Sequence, residues 1–397
     1  MQQMYSKELH GIALSQVLLN ECRVYGTAAP VAQELKELQA LEQAGEGGAA
    51  RSLLAEAVLK LSHGRNTVLY DDAGVPAVMV RIPAMTCSEL VKGCCSDDVH
   101  PAFRLGNKRL REVWVSKYLN CVVDGRAASL PMSVPANVRN LDQALSLIRP
   151  KGKGWLLMPF PLHMAIVLRC HADGRGISGN TDKGHDYYAP EELGVVTDSG
   201  TVLTGSGPLR WSHNGRPDGL WDLVGNLNEW NCGFRLVDGE IQLMDMEALV
   251  QPHCDMSAAS PLWHAMDESG ASVPPGAPGT LHFDGCDGTV CLTKCVAHHG
   301  LGNCAFCDVS AAEGIAVPER LRLLGLYPPE EGLGPRAGWR WISTEGECMP
   351  LCGGAFRIAD HSGMFFMGVT KPRDVDYALS GMRCVYIPED AAEEEEP

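Results

Sequence analysis

Two glycine–aromatic segments constrain this chain more than any other feature. The first reads Gly219-Leu220-Trp221-Asp222-Leu223-Val224-Gly225-Asn226-Leu227-Asn228-Glu229-Trp230. The second reads Leu351-Cys352-Gly353-Gly354-Ala355-Phe356, and behind it come Ser362-Gly363-Met364-Phe365, Pro372-Arg373 and Gly381-Met382-Arg383. Neither segment is a nucleotide-binding or protease motif. Glycines set the turns and tryptophans supply rigid packing units. Together they describe a compact, loop-rich scaffold whose last stretch displays side chains, which favours display and binding over catalysis.

Composition narrows the classes. The 43 glycines and 25 prolines imply many turns and few long helices. A net charge of −16 lacks the basic stripe that sequence-independent nucleic-acid binding requires, so no nucleic-acid partner is expected. Residues Met1 to Cys22 show no basic region followed by an apolar run, so no signal peptide is expected. No stretch approaches the roughly 18 apolar residues of a membrane span, and no membrane insertion is expected. The 16 cysteines are many for a reducing compartment; those dispersed along the chain, such as Cys22, Cys121, Cys170, Cys232 and Cys384, read as buried free thiols.

Three short apolar stripes open the chain: Leu9, Ile12, Ala13, Val17 and Leu18; then Val31, Leu35, Leu38 and Leu41; then Leu54, Val58 and Leu61. They predict a helical hairpin or small bundle ending near His63-Gly64, with Gly45-Glu46-Gly47-Gly48 as a break. From Thr67 the period changes to that of strands, with a hairpin over Thr67–Tyr70 and Ala77–Ile82. Trp114–Leu119 alternates as a strand, Leu141–Ile148 reads as a helix capped by Asn140, and Leu162–Cys170 as another with Pro161 in its first turn. The glycine-rich stretch Asp173–Asp218 is long for a passive loop, and so is expected to be functional or tied down by its own contacts. Asp238-Gly239 predicts a hairpin.

At these positions the chain resembles the formylglycine-generating-enzyme family of the C-type lectin superfold. That family has Gly-Leu-Tyr-Asp-Met-x-Gly-Asn-Val-x-Glu-Trp, then Gly-Gly-x-Trp, then Gly-Phe-Arg. Here Gly219–Trp230 matches almost fully, Phe356 replaces the Trp, and Met382 replaces the Phe. The likeness covers roughly residues 66–387. Within the superfold the chain is most similar to variable proteins of diversity-generating retroelements and to phage tail proteins. Their pattern is matched by Val317-Pro318-Glu319-Arg320-Leu321-Arg322-Leu323-Leu324-Gly325-Leu326, by Trp339 to Ile342, and by the Gly353-Gly354, Ser362–Phe365 and Pro372-Arg373-Asp374 stretches. Cys352 stands where Arg is usual, and Asp374 where Ser is usual.

The resemblance implies an α+β, C-type lectin-like fold. Residues 1–64 would form a helical attachment or oligomerisation segment, 66–387 the display domain, and 388–397 an acidic disordered tail. The ligand surface would comprise Ala355, Arg357, Ala359, Asp360, His361, Phe366, Gly368, Asp374, Asp376, Tyr377 and Ala378. The scaffold beneath would be Trp221, Asn226, Glu229, Trp230, Gly353, Gly354, Phe356 and Arg383, with Trp221, Trp230 and Phe356 as an aromatic core. The implied partner is a protein or glycan receptor on a target cell surface, with a particle or tail partner held through the N-terminal helices. The implied location is a phage virion tail, or the cytoplasm before assembly. On this modular reading, a chain lacking residues 1–62 folds as a monomer and still binds.

Two other readings set sharper chemical demands. A formylglycine-generating oxidase holds copper through two thiolates, yet Arg357–Gly363, where that family places them, contains no cysteine. A particle protein without a ligand would need no displayed side chains. No cofactor is implied beyond a structural zinc, for which Cys291, Cys295, Cys304 and Cys307 are the candidate ligands because Cys304-x-x-Cys307 has knuckle spacing.

Overall fold

The computed structural model describes residues 11–94, 96–330 and 332–394. Leu9 of the first apolar stripe, Cys95 and the tail residues Glu395, Glu396 and Pro397 lie outside the described residues.

The three stripes form helices α1 (Leu14–Tyr25), α2 (Ala32–Gln43) and α3 (Gly47–Leu61). Gly26 ends α1 at φ 69°, a left-handed position at which its amide returns to the Arg23 carbonyl. Gly47 and Gly48 open α3 instead of interrupting a helix; the break falls at Gly45, φ 74°.

The predicted hairpin is present as β1 (Asn66–Tyr70) against β2 (Pro76–Pro83), in register from Asn66↔Val80 to Tyr70↔Pro76. It continues into an antiparallel 5-stranded sheet whose remaining strands are Glu112–Ser116, Cys384–Tyr386 and Trp155–Leu157. The last strand of the body therefore lies between strands from its first third. A curled, 13-stranded mixed sheet carries the rest. Its central path runs through Leu301–Ala305, Trp339–Ser343, Met367–Lys371, Glu347–Cys352 and the Asp238-Gly239 hairpin, Phe234–Val237 with Glu240–Leu243. The helix over Leu141–Ile148 is capped as expected, the Asn140 side chain accepting the Gln143 amide at 3.0 Å. The next helix, Phe160–Ala172, is nearly all buried, and it packs in the main core.

The sequence boundary near residue 65 is a change of secondary structure and not a gap in packing. Val17, Leu18, Leu54 and Val58 share one apolar cluster with Val78, Tyr118, Trp211 and Trp221 of the body. Glu21 of α1 is fully buried; its carboxylate meets Lys117 Nζ at 2.7 Å and accepts the Tyr118 hydroxyl at 2.6 Å. The Lys117 ammonium also lies 4.6 Å from the Tyr25 ring centroid. The helices thus share the body's core, which argues against the expectation that a chain lacking residues 1–62 folds as a monomer.

The tail also departs from expectation. Ala392–Glu394 pairs with Lys108–Leu110, Ala391 is buried, and Glu393 reaches Arg111 at 3.2 Å. Arg109 on the facing strand and Arg111 just after it both approach Glu393, and residues 389–394 carry a short helical turn and a strand where a disordered tail is expected.

Candidate functional site

The three sequence motifs converge on one short strand, Asn228–Trp230. On one side Glu229 pairs with Cys352 and Trp230 with Leu351; on the other Asn228 and Glu229 run parallel to Ser380 and Gly381. Beneath this junction the Arg383 guanidinium holds the Glu229 carboxylate through two nitrogens, at 2.7 and 2.9 Å, and donates further bonds to the Ser116 and Trp221 carbonyls at 2.8 Å each. Both side chains are buried, so the pair stands or falls as a unit. It joins three distant stretches of chain at one point.

Asn226 ties a fourth. Held at φ 61°, it accepts the Val202 amide at 2.9 Å through Oδ1 and donates to the Val202 carbonyl at 3.1 Å through Nδ2. Its own carbonyl accepts the Phe356 amide at 3.2 Å. One buried residue, through its side chain and its backbone carbonyl, thereby fixes the glycine-rich stretch 173–218 against the Gly353-Gly354 turn. That turn needs glycine twice: both φ values are above 80°, and a Cβ would strike the Leu223 carbonyl at Gly353 and the Ser362 hydroxyl at Gly354.

The expected single aromatic core does not form. Trp221 packs in the cluster shared with the N-terminal helices, Trp230 in the main core, and Phe356 in a small third cluster with Leu119 and Leu227. The segment reverses at Asp222, φ 60°, and at Asn226, and these turns send the three rings into separate compartments.

The eleven expected ligand residues are likewise divided. Ala355, Phe366 and Gly368 are buried, which corrects their assignment to a ligand surface. Gly368 lies in the sheet between Trp341 and Leu351, where strand pairing fills both flanks. Arg357 is exposed beside the Phe356 ring, while Ala359, Asp360 and His361 form a half-buried turn. Asp374, Asp376, Tyr377 and Ala378 belong to a second loop anchored elsewhere: Tyr377 donates its amide to the Arg139 carbonyl at 2.7 Å, and the Asp374 carbonyl accepts Asn140 Nδ2 at 3.0 Å. Arg373 fastens that loop through Glu347, with contacts of 2.8 and 3.0 Å. The first turn is instead bonded to residues 181 and 188, so the expected ligand residues lie on two separately anchored loops.

The first turn borders the better-formed site. His361 packs on Trp339 with ring centroids 4.0 Å apart, and Trp341 lies 5.8 Å from the same imidazole. Both tryptophans are half-exposed because the strand Trp339–Ser343 turns Arg340 and Ile342 inward. Arg340 is fully buried over the Phe306 ring and donates to the Gly325 carbonyl at 2.8 Å; burial lowers its pKa to about 10. On the other side, Ala359 and Ser362 contribute to the wall of a pocket of about 380 Å³, with Tyr188 and Arg336 beside them. Tyr188 donates its hydroxyl to the Asp360 carbonyl at 3.3 Å. The sequence marks the 173–218 stretch but not Tyr188 within it, and Trp339–Ile342 stands there as a match to the family pattern with neither ring assigned to the site. The alternation Trp339-Arg340-Trp341-Ile342 is the signal that could have assigned them.

The zinc assignment is corrected. Among the described residues no three His, Cys, Asp or Glu side chains converge on a common point. Cys291 sits on a strand between Asp284 and Ser310, whereas Cys304 lies on Leu301–Ala305, which faces Trp339–Ser343. Cys304 is buried, and burial holds its thiol up at about 11, while Cys295 is exposed. Sequence spacing within a knuckle does not survive when separate strands carry its halves. Cys348 and Cys352 are buried, and burial raises both thiols, that of Cys352 strongly, which keeps them protonated and inert.

Among the described residues no helix is long and apolar enough to cross a membrane. No protein-family model matches the chain, and no curated protein matches it.

Proposed function

We propose that this chain is a recognition protein of the C-type lectin-like class, displaying a ligand-binding face built on the turn Arg357–His361 and the strand Trp339–Ser343. The observation that carries the reading is the half-exposed Trp339–Trp341–His361 cluster beside a pocket, on a turn fixed from below by Asn226 and by the Glu229–Arg383 pair. Rigid aromatic anchors with charged neighbours, held by a frame that does not need to reorganise, are the ingredients of a binding face. The lectin-like assignment is supported by the convergence of the three motifs on one strand and by the return of the last strand into the first sheet. The partner is a protein or glycan receptor on a target cell, and the setting a phage tail or a diversified variable protein.

The diversified reading has a direct test in the DNA beside the gene. A reverse transcriptase with a near-copy of the terminal coding segment, differing mainly at adenines, is expected. Its differences should fall on exposed Arg357, Asp374 and Asp376 and on half-buried Asp360 and His361, and should spare buried Ala355, Phe366 and Gly368. A copy whose differences cluster on the buried positions would sink the assignment of the face; no copy at all would reduce the reading to a fixed receptor-binding protein.

A further inference from the structure

The pocket beside the turn Ala359–His361 carries charge that the reading above does not use. At about 380 Å³ it is in the range that holds a small organic ligand. Three guanidinium side chains, Arg175, Arg210 and Arg336, line it together with His171. Two carboxylates share the wall, and both are committed. Asp186 is buried and accepts the Gly179 amide at 3.2 Å and the Tyr188 amide at 2.9 Å; Glu330 sits 3.0 Å from His171 Nε2.

The arginines are less occupied. Arg336 forms no ion pair among the described residues: its guanidinium lies 4.9 Å from the Tyr188 ring centroid and donates to the Tyr188 carbonyl at 3.3 Å. Arg175 donates to the Asn214 carbonyl at 2.9 Å and approaches Asp173 only at 3.9 Å. Arg210 reaches Glu192 Oε1 at 3.4 Å through its Nε, while the other oxygen of that carboxylate accepts the Ser178 hydroxyl at 2.7 Å and Trp211 Nε1 at 3.0 Å. Guanidinium N–H groups thus remain for a guest. Ser362, at the same wall, keeps a buried hydroxyl without a hydrogen-bond partner among the described residues.

We infer that this pocket receives the anionic group, a carboxylate or a sulfate ester, of an acidic saccharide, with Arg336 as its principal donor. The inference rests on the recognition reading and gives its ligand a chemistry. A planar guanidinium fork matches both oxyanions. A bare anion would need nothing more, but the pocket's own wall offers Tyr188 and hydroxyl groups for a sugar's polar edge, and across the turn Ala359–His361 the rings of Trp339 and Trp341 pack about His361, faces suited to the apolar face of a further sugar ring. The net charge of −16 does not forbid this, because at physiological salt charges beyond about 8 Å are screened and the local arginines decide.

The test is an array of matched neutral, carboxylated and sulfated glycans, probed with the full chain and with its Arg336→Gln and Trp339→Ala variants. The wild type should bind acidic members only, and whether uronates or sulfate esters are retained identifies the anion. Arg336→Gln should weaken that binding about tenfold or more, the loss of one charged hydrogen-bonding partner, without lowering the melting temperature. Equal binding of neutral glycans, wild-type binding by Arg336→Gln, or no glycan binding at all would overturn the inference. The same variants on target cells keep the two levels apart. If Trp339→Ala loses cell binding while no acidic glycan is held, the pocket chemistry fails and the recognition face stands; if Trp339→Ala binds cells normally, the face itself fails.

Discussion

At the scale of single residues, the interior holds ionisable groups whose charge states are set by burial. His100 and His163 are fully buried and His213 is half-buried, and loss of hydration pushes each down to about 4. In the unfolded chain they titrate near 6.5. As pH falls from about 6.5 to 4 the unfolded chain therefore takes up protons that the native state refuses, and stability is lost. Asp222 has the opposite sign. Burial raises it to about 7, against the pull of the Arg383 guanidinium, so the native state keeps a proton that the unfolded chain releases near 3.9. Its contribution is present in acid and is lost as pH rises towards 7. Three histidines outweigh one aspartate, so the denaturation midpoint is expected to fall on acidification between pH 6.5 and 4. Asp222→Asn should make that fall steeper. A midpoint that stays level or climbs across the same window would contradict the assignment of the buried histidines as neutral.

At the scale of elements, the least expected join is that of α1 to the body. Glu21 and Lys117 are both wholly buried; burial lowers the Lys117 pKa, and the Glu21 charge opposes that shift. Breaking such a pair by removing one partner costs about 3–5 kcal/mol, because the other charge is left uncompensated in a dry site. Glu21→Gln should lower the unfolding free energy by about that amount, measured in urea, and deletion of residues 1–62 should yield a chain that aggregates or melts far lower. A truncated chain with native stability would restore the modular reading. The sequence could not show this join. Glu21 reads there as one polar position in an amphipathic stripe, and the partner that buries it lies 96 positions away. The pairing of Glu393 is hidden for the same reason: in the sequence it is one more acidic residue, with Arg109 and Arg111 far away along the chain.

At the scale of the whole molecule, local signals carried well where they were self-contained. The β1–β2 hairpin, the Asp238-Gly239 turn and the Asn140 cap depend on residues only a few positions apart, and each is present. The motifs were legible as motifs, but their meeting on Asn228–Trp230 was not, since strand pairing between residues 229, 352 and 381 leaves no trace in any one of them. Nor could spacing separate Asp360 and His361 from Asp374 and Tyr377, or reveal that Phe366 and Gly368 fill the sheet. A rigid frame with one aromatic face and one arginine-lined pocket is the resulting account. It is tested most directly by measuring cell-surface binding and thermal melting side by side for the wild type and for a Trp339→Ala/Trp341→Ala double variant. The account predicts loss of most binding with little change in melting, because both rings are half-exposed and Arg340, not they, anchors the strand inward. Undiminished binding by a folded double variant would contradict it.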